Sequence, residues 1–210
     1  AAKAASAQRQ ALKEKWGLAL DRPVILFASK FLKRKHAGDL LAAYSQLVDS
    51  HREIKKPYLL FVGDGEMRRS LEKQVAQNNL SDDVLFLGFQ NQSQLPAFFD
   101  LCDVFVLPST RENWGLIVNE VMNASRPVIV SDEIGCAPDL VKESENGVVY
   151  QARDIAALCE ALVFVLSSPE KQQQMGRKSL EIINRWGIEE TVSGIMAACL
   201  SVSPEIKTKR

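Results

Sequence analysis

Six short apolar runs, each followed by a polar loop, constrain the fold of this 210-residue chain more than any other feature. Each run is continuously apolar rather than alternating, which is typical of parallel strands that are buried on both faces. The runs are PVILFA (23–28), YLLFVG (58–63), VLFLG (84–88), VFVLP (104–108), PVIVS (127–131) and GVVY (147–150). Because helical patterns separate them, the chain is predicted to form an α/β fold with a doubly wound, parallel six-stranded sheet.

Helical patterns occupy the segments between the strands and follow the last one. We predict helices near 38–50, 66–78, 93–101, 115–125, 154–167, 169–185 and 187–201. The Ala-, Lys- and Gln-rich residues 1–20 are predicted to form a helical linker or connection that leads into the domain. The sequence thus divides into this connection, one domain over 21–201 that ends in C-terminal helices, and a tail over 202–210.

Charge, cysteine usage and hydropathy argue against several classes of protein. The 26 basic and 26 acidic residues cancel, so bulk charge gives no support for nucleic-acid binding. The four cysteines form no C-x-x-C pair and there are only two histidines, which argues against a metal site. Free thiols are typical of a reducing compartment, and no apolar run reaches the roughly 18–20 residues of a membrane span. We therefore expect a cytoplasmic protein without a resident metal.

Polar clusters follow the predicted strands, at the edge where doubly wound sheets bind ligands. The first is SKFLKRKH, Ser29 to His36, directly after the first strand. A loop this basic can neutralise a diphosphate through charge-assisted hydrogen bonds, and we expect Lys30 and Lys35 to do so. We choose these two because Lys33 and Arg34 could simply face water. A solvated surface loop is an equally good interpretation of this segment taken alone.

The segment between the fourth and fifth strands, PSTRENWGLIVNEVMNAS, carries two carboxylates eight positions apart. Glu112 precedes Gly115, which lies at the predicted start of a helix, and Glu120 lies within that helix. The glycine lets the backbone approach a ligand, and the first-turn amides suit a phosphate. The two acids can accept hydrogen bonds from hydroxyls, so phosphate and polyol together indicate a nucleotide sugar. Alternatively, Glu120 is an exposed helix charge, or the two acids form an acid–base pair.

Three further loops have more than one interpretation. GDGEMR, 63–68, resembles the start of a dinucleotide-binding fingerprint, but Arg68 stands where the third glycine belongs. We interpret it as a tight turn before a helix. In LGFQNQSQL, 87–95, Phe89 either stacks on a nucleobase or fills the core. The loop 131–136 either lines a sugar pocket or is a plain connection.

Taken together, these segments resemble the C-terminal, donor-binding domain of retaining GT-B glycosyltransferases of glycosyltransferase family four. The main match is the spacing of Glu112 and Glu120, followed by ASRPVIVSD. The supporting matches are ASKFLKRKHAGDLLAAY, FVGDGEMRRSLE, VLFLGF with LPAFFDLCDVFVLPS, and APDLVKESENGVV. They occur in the family's order over residues 22–190. The resemblance implies that the sheet is the Rossmann-like half of a GT-B fold.

The resemblance also implies roles for individual residues. It places Lys30 and Lys35 on the donor diphosphate and Glu112 on the sugar hydroxyls, and these three are the expected catalytic groups. Glu120 is implied to bind the ribose of the donor. Further donor contacts are implied at Ser29, Phe89, Asn113, Trp114, Gly115 and Leu116. The donor's identity stays open, because several positions depart from the family's common residues: Ser29, His36, Asn113, Trp114, Ala124–Ser125 and Cys136.

The implied reaction transfers a sugar from a nucleoside-diphosphate sugar to a hydroxyl of a glycan, lipid or protein acceptor, with retained anomeric configuration. An N-terminal acceptor domain is expected outside this chain, so the domain alone is expected to be inactive, and any membrane contact is expected through the other half. No Asp-x-Asp pair is present, and neither metal nor cofactor is expected beside the donor. The alternatives are a non-catalytic nucleotide- or sugar-binding module, a nucleotide-sugar epimerase, and a dinucleotide oxidoreductase, which Arg68 disfavours.

Overall fold

A computed structural model describes residues 2–202 of the chain. Its centre is one sheet of six parallel strands, which confirms the fold predicted from the apolar runs. The strands are β1 (Val24–Ala28), β2 (Tyr58–Val62), β3 (Val84–Phe86), β4 (Val104–Leu107), β5 (Val128–Ser131) and β6 (Gly147–Tyr150). Their order across the sheet is β3-β2-β1-β4-β5-β6, which is that of a doubly wound, Rossmann-like fold.

Helices connect the strands and cover both faces of the sheet. They are α1 (Ala2–Lys15), α2 (Ala37–Ser50), α3 (Arg68–Gln77), α4 (Leu95–Leu101), α5 (Leu116–Asn123), α6 (Ala137–Leu140), α7 (Ile155–Leu166), α8 (Pro169–Ile183) and α9 (Ile188–Val202). A 3₁₀ helix at Lys33–Lys35 precedes α2. The sequence patterns do not predict the short helix α6, but the other helices lie where they were expected, with small shifts at their ends.

Two apolar layers, one on each face of the sheet, form the core. Successive strand residues point to opposite faces, so Ile25 and Phe27 pack in one layer while Val24 and Leu26 pack in the other. The first layer includes residues of α2, α3 and α7, and the second includes residues of α4, α5 and α6. Strands that are covered on both faces need apolar residues at every position, which explains the continuous runs in the sequence.

The first and last helices differ in how they pack. α1 lies against α4, and just after α1 the ring of Trp16 is 6.3 Å from that of Phe98 between centroids. Arg9 in α1 also pairs with Asp103 at 2.5 Å. In contrast, α9 has no buried residue.

The limits predicted for the domain, residues 21 and 201, stay predictions. Most of the predicted tail, 203–210, lies outside the described residues. Among the helices between residues 2 and 202, none combines the length and the apolar character that crossing a membrane would require.

The strand order brings together loops that are distant in sequence. β1 lies between β2 and β4, with Ile25 in register with both Leu59 and Val104. Because the strands are parallel, their carboxyl ends form one edge of the sheet. The loops that follow β1 and β4 are neighbours on that edge, where the order of the strands reverses. Ligands of doubly wound sheets bind at such a point.

Candidate functional site

The loop after β1 carries the basic cluster and is anchored to the neighbouring strand. Ser29 N donates to the Val62 carbonyl oxygen at 3.0 Å. The chain then forms the 3₁₀ helix and passes through His36, whose φ of 49° lies in the left-handed region and precedes α2. Lys35 is 9% exposed as a result of this path, whereas Lys30 is exposed. The two predicted phosphate ligands therefore lie in one loop but differ in burial.

The loop after β4 docks onto this basic loop. Thr110 N donates to the Arg34 carbonyl oxygen at 2.8 Å. Beyond it, the Glu112 carboxylate accepts a hydrogen bond from Lys35 Nζ, and Arg34 Nη1 lies 3.3 Å from the same Glu112 Oε2. Two cations from one loop thus share a single carboxylate oxygen from the other. Because their combined charge exceeds that of Glu112, this group of side chains keeps an excess of positive charge.

The backbone around Glu112 is held by the loop after β5. Glu112 N donates to the Glu133 carbonyl oxygen at 3.2 Å, and Gly135 N donates to the Glu112 carbonyl oxygen at 2.9 Å. This close approach requires a glycine, since a Cβ atom on Gly135 would lie 1.9 Å from the Asn113 carbonyl oxygen. The loop 131–136 therefore supports the loop that carries Glu112.

Helix α5 follows Gly115, as predicted, and its first turn is open. Gly115 has a left-handed φ of 91°, and a Cβ atom there would lie 3.0 Å from Ile134 Cγ2. No side chain between residues 2 and 202 caps this helix, and Leu116 in its first turn is 69% exposed. Val118 N donates to the Gly115 carbonyl oxygen at 2.8 Å, but the amides of Leu116 and Ile117 precede any intrahelical acceptor and lie at the positive end of the helix dipole. The start of α5 therefore offers anion-binding groups in the same loop as Glu112.

Glu120 lies one turn into α5 and lines a shallow pocket between α4 and α5. The pocket has a volume of about 490 Å³. Its lining residues are Gln92, Pro96, Phe99, Asp100, Glu120, Asn123 and Ala124. Partial burial raises the pKa of the Glu120 carboxyl above its usual range, and no charged neighbour in the described chain offsets this effect. The carboxylate is therefore available to accept hydrogen bonds from a ligand.

Phe89 follows β3 and does not fill the core. It is 78% exposed, which rules out the core-filling interpretation and leaves its ring free to contact a ligand. Gly63 N donates to the Gly88 carbonyl oxygen at 2.8 Å, so the loops after β2 and β3 lie side by side. In the loop after β2, GDGEMR forms the predicted tight turn, and α3 begins at Arg68.

The structure brings some of the predicted site residues together and leaves others apart. Lys35 and Glu112 are in contact, and residues 113–116 continue the same loop into α5. Lys30 is exposed in the loop after β1 and has no ion-pair partner within the described range. Glu120 lies in the pocket between α4 and α5, outside the contact group of Lys35 and Glu112.

Two residues of this region were not expected from the sequence. Arg34 was not among the predicted ligands; its side chain is 50% exposed, and its guanidinium also pairs with Glu112. Trp186, in the connection between α8 and α9, lies with its ring 5.7 Å from that of Trp114. Neither residue carries a signal in the sequence, since an irregular loop has no period that separates inward from outward side chains.

The buried cysteines and the acidic residues do not form a metal site in the described chain. Cys102, Cys136 and Cys159 are buried free thiols, and burial raises the pKa of Cys136 to about 11. A thiol with so high a pKa stays protonated near neutral pH and is a poor nucleophile or ligand. Between residues 2 and 202, no three His, Cys, Asp or Glu side chains lie close enough to hold a metal ion.

A larger cavity lies at the opposite, amino-terminal edge of the sheet. Its volume is about 810 Å³, and Pro23, Asp103 and Pro127, which precede three strands, line it. Basic side chains there bond to the protein's own backbone. Lys13 Nζ, for example, donates to the Arg22 carbonyl oxygen at 2.7 Å. Lys13 is therefore held by the backbone, whereas Arg177, which also lines the cavity, is exposed and has no ion-pair partner within the described residues.

Comparison with known proteins agrees with this geometry. The family model described as "Glycosyl transferases group 1" matches residues 8–181. The chain belongs to this family. Alpha-D-kanosaminyltransferase of Streptomyces kanamyceticus is 28% identical to the group 1 domain over 173 residues, which cover 82% of this chain and 44% of that protein. The group 1 domain thus spans less than half of the relative's length.

Solved structures share the fold of this group 1 domain. Anabaena Alr3699/HepE, in complex with UDP and glucose, superposes with a TM-score of 0.78 at 21% identity, over 93% of this chain and 52% of that one. The C-terminal domain of a glycosyl transferase group 1 family protein (LpcC) from Francisella tularensis gives a TM-score of 0.75 at 18% identity, over 86% of this chain and 93% of that domain. At these identities the likeness shows the fold, which is the Rossmann-like half of a GT-B glycosyltransferase.

Proposed function

We propose that this chain is the donor-binding domain of a family-four glycosyltransferase, which transfers a sugar from a nucleoside-diphosphate sugar to an acceptor hydroxyl with retained configuration. The observation that carries the proposal is the contact group of Lys35, Arg34 and Glu112 beside the open first turn of α5. Cations and free amides suit a diphosphate, and a carboxylate suits sugar hydroxyls. Membership of the group 1 family supports the same class of reaction.

The diphosphate would bind where the cations now meet Glu112. Lys35 and Arg34 both reach Glu112 Oε2 in the unliganded arrangement. A diphosphate carries more negative charge than one carboxylate, so it would draw both cations toward itself. Glu112 would then be released to accept hydrogen bonds from the sugar. In this proposal, diphosphate binding prepares the sugar-binding group, and a free sugar binds poorly without it.

The same cations would act during the transfer step. Negative charge develops on the phosphate as it leaves the sugar, and donors that are held in place beforehand stabilise it without further reorganisation. Lys35, Lys30 and the first-turn amides of α5 are such donors. Lys35 would contribute most, because charges interact more strongly where water is excluded and its side chain is only 11% exposed. In this proposal neither metal nor cofactor takes part.

The nucleoside would bind along the edge toward β3. Glu120 would accept hydrogen bonds from the ribose hydroxyls in the pocket between α4 and α5. Phe89 would stack on the base, since its ring is exposed in the loop that follows β3. Anabaena Alr3699/HepE, which shares this fold, was solved with UDP and glucose, and this supports a nucleotide sugar as the ligand.

We further propose that an acceptor-binding domain belongs to the same protein. α9 carries a stripe of exposed apolar side chains at helical spacing, which indicates a surface that another domain covers. They are Ile188, Val192, Ile195, Met196 and Val202. The acceptor, whether glycan, lipid or protein, and any contact with a membrane would then belong to that second domain. The isolated chain would bind the donor without completing the reaction.

A thermal-shift screen of the full-length protein with UDP-, GDP- and ADP-sugars tests the proposal. One nucleotide series is expected to raise the melting temperature, since a ligand at 100 times its Kd stabilises the folded state by about 2.7 kcal/mol. Transfer to a panel of acceptors is then followed by NMR, and the product anomer is expected to match the donor anomer. An inverted product contradicts retention. Binding without transfer indicates a binding module, and a changed sugar without any acceptor indicates an epimerase.

A further inference from the structure

Trp114 connects the donor loop to a distant part of the chain. It lies between Glu112 and Gly115, and its carbonyl oxygen accepts a hydrogen bond from Cys136 N at 3.0 Å. Its indole Nε1 donates to Asn119 Oδ1 at 3.0 Å. Trp114 is thus hydrogen-bonded through its carbonyl oxygen to the loop after β5 and through its ring nitrogen to α5. The position of the loop 112–116 therefore depends on where the Trp114 side chain lies.

Trp186 packs on Trp114 from the connection between α8 and α9. The two ring centroids are 5.7 Å apart and the planes are inclined by 47°, which is a favourable aromatic arrangement. α8 is also packed against α5, so the contact extends an existing helix pair. Trp186 is 43% exposed, which is unusual for an aromatic side chain whose only purpose is to fill a core.

Trp186 also lies at the start of α9. Gly187 follows it, and Gly187 N donates to Glu190 Oε2 at 3.0 Å while the Gly187 carbonyl oxygen accepts from Thr191 N at 3.2 Å. These bonds fix the first turn of α9 to the residue next to Trp186. A displacement of α9 is therefore transmitted to Trp186, and through its ring to Trp114.

We propose that Trp186 is a positioning residue that braces Trp114 and couples the orientation of α9 to the loop 112–116. The inference rests on the proposed function, because that loop carries the groups assigned to the donor. Its consequence is that whatever holds α9, such as a second domain, also sets the affinity of this domain for the nucleotide. A purely structural side chain at position 186 would support α8 without changing the donor loop.

Hydrogen exchange on the full-length protein tests the brace without any ligand. Trp186→Ala is expected to speed exchange of the amides of Glu112, Gly135 and Cys136, while Trp186→Phe restores the slow rates. Trp16→Ala is the matched control, because it removes an indole that packs on Phe98 of α4 and not on Trp114. Unchanged exchange in both loops of Trp186→Ala overturns the proposal, as does equal acceleration by Trp16→Ala.

Nucleotide titrations add a readout that loss of stability alone would not move. UDP, GDP and ADP are titrated into the wild-type protein, and the tightest binder serves as the probe. Trp186→Ala is expected to weaken it about threefold to tenfold, the range that corresponds to one aromatic pair. Unaltered affinity alongside faster exchange contradicts the coupling. Failure of all three nucleotides to bind the wild-type protein counts against the proposed function, while the exchange rates still decide whether Trp186 braces the loop.

Discussion

The two edges of the sheet each carry one buried lysine, and the two lysines are paired in different ways. At the amino-terminal edge, Lys13 is 4% exposed and donates to three carbonyl oxygens, those of Ala19, Leu20 and Arg22. Arg126 similarly donates to the carbonyl oxygens at the end of α4. Lys13 thus has a backbone acceptor for each of its three ammonium hydrogens, and Arg126 donates through Nε and Nη2, so both side chains hold chain segments together.

The carboxyl-terminal edge leaves its cations short of partners. Lys35 and Arg34 share one oxygen of Glu112, and Lys30 has no ion-pair partner in the described part of the chain. The larger cavity, of about 810 Å³, nevertheless lies at the amino-terminal edge, where the exposed Arg177 also has no ion-pair partner in the described part of the chain. The comparison teaches that the two buried lysines differ in their partners, since Lys13 is held by three carbonyl oxygens and Lys35 by a carboxylate that it shares with Arg34, and that cavity size does not follow this difference.

Removing the buried cation of the binding edge should give the largest effect. Lys35→Ala in the full-length enzyme is expected to lower kcat about 100- to 1,000-fold, because losing one preorganised donor costs about 2.7–4 kcal/mol of barrier. Initial rates of sugar transfer measure the effect. Lys33→Ala removes an exposed charge from the same 3₁₀ helix and is the matched control. Equal rates for the two variants would refute the assignment of Lys35 to the phosphate.

Neutralising Glu120 should have an intermediate effect on binding. Glu120→Gln is expected to weaken the nucleotide tenfold or more, since hydrogen bonds to a charged group contribute about 1.5–3 kcal/mol. Calorimetry of the nucleotide measures this change. Glu189→Gln, at an exposed position of α9, should leave the affinity unaltered. A comparable loss in both variants would show that Glu120 acts only through net charge.

The contribution of Glu120 to the stability of the folded protein should depend on pH in a defined direction. Burial raises the pKa of this carboxyl in the folded state, so the folded protein holds the proton up to a higher pH than the unfolded chain does. The contribution of Glu120 to stability therefore falls as pH rises through the interval between the two pKa values. Glu120→Gln should remove this fall, and denaturant titrations over a range of pH measure it.

The affinity of the wild-type protein for the donor should also depend on the protonation of Glu120. It should decline on acidification at a higher pH than for a glutamate with an ordinary pKa, and a pH series of nucleotide titrations checks it.

Removing Lys13, at the amino-terminal edge, should lower stability without changing the KM for the donor. Lys13→Met keeps most of the side-chain length but loses the three hydrogen bonds, and a decrease of about 1–2 kcal/mol in the free energy of unfolding is expected. Denaturant titration measures it, and the KM for the donor should stay the same. Lys73→Met, exposed on α3, should change neither quantity. A raised KM for Lys13→Met would remove the distinction between the two edges.

Much of the fold follows from the sequence because the burial of this sheet is uniform. A central strand such as β1 is covered on both faces and must be apolar throughout, which a short window of sequence reveals. The start of α5 was also predictable, since only glycine adopts the φ of Gly115 without strain. The order and spacing of the family-like segments then indicated Glu112 and Lys35 as candidates for binding one ligand.

The remaining features depend on contacts between distant residues. Whether Arg34 faces water or Glu112 is decided by where the loop after β4 docks, which no local pattern encodes. Phe89 had two equal interpretations for the same reason, because exposure of a loop side chain depends on its neighbours in space. Trp186 lies 72 positions after Trp114, and nothing in the sequence around either residue indicates that their rings meet.

The crossover between β1 and β4 has a consequence for biosynthesis. Lys35 and Glu112 are separated by 77 positions, so the basic loop and the first three strands leave the ribosome well before the glutamate does. A nascent chain that stops short of Glu112 presents uncompensated lysines with neither the carboxylate nor the helix that accompanies them. The contact group of Lys35, Arg34 and Glu112, to which we assign the donor, therefore assembles only when the second half of the sheet joins the first.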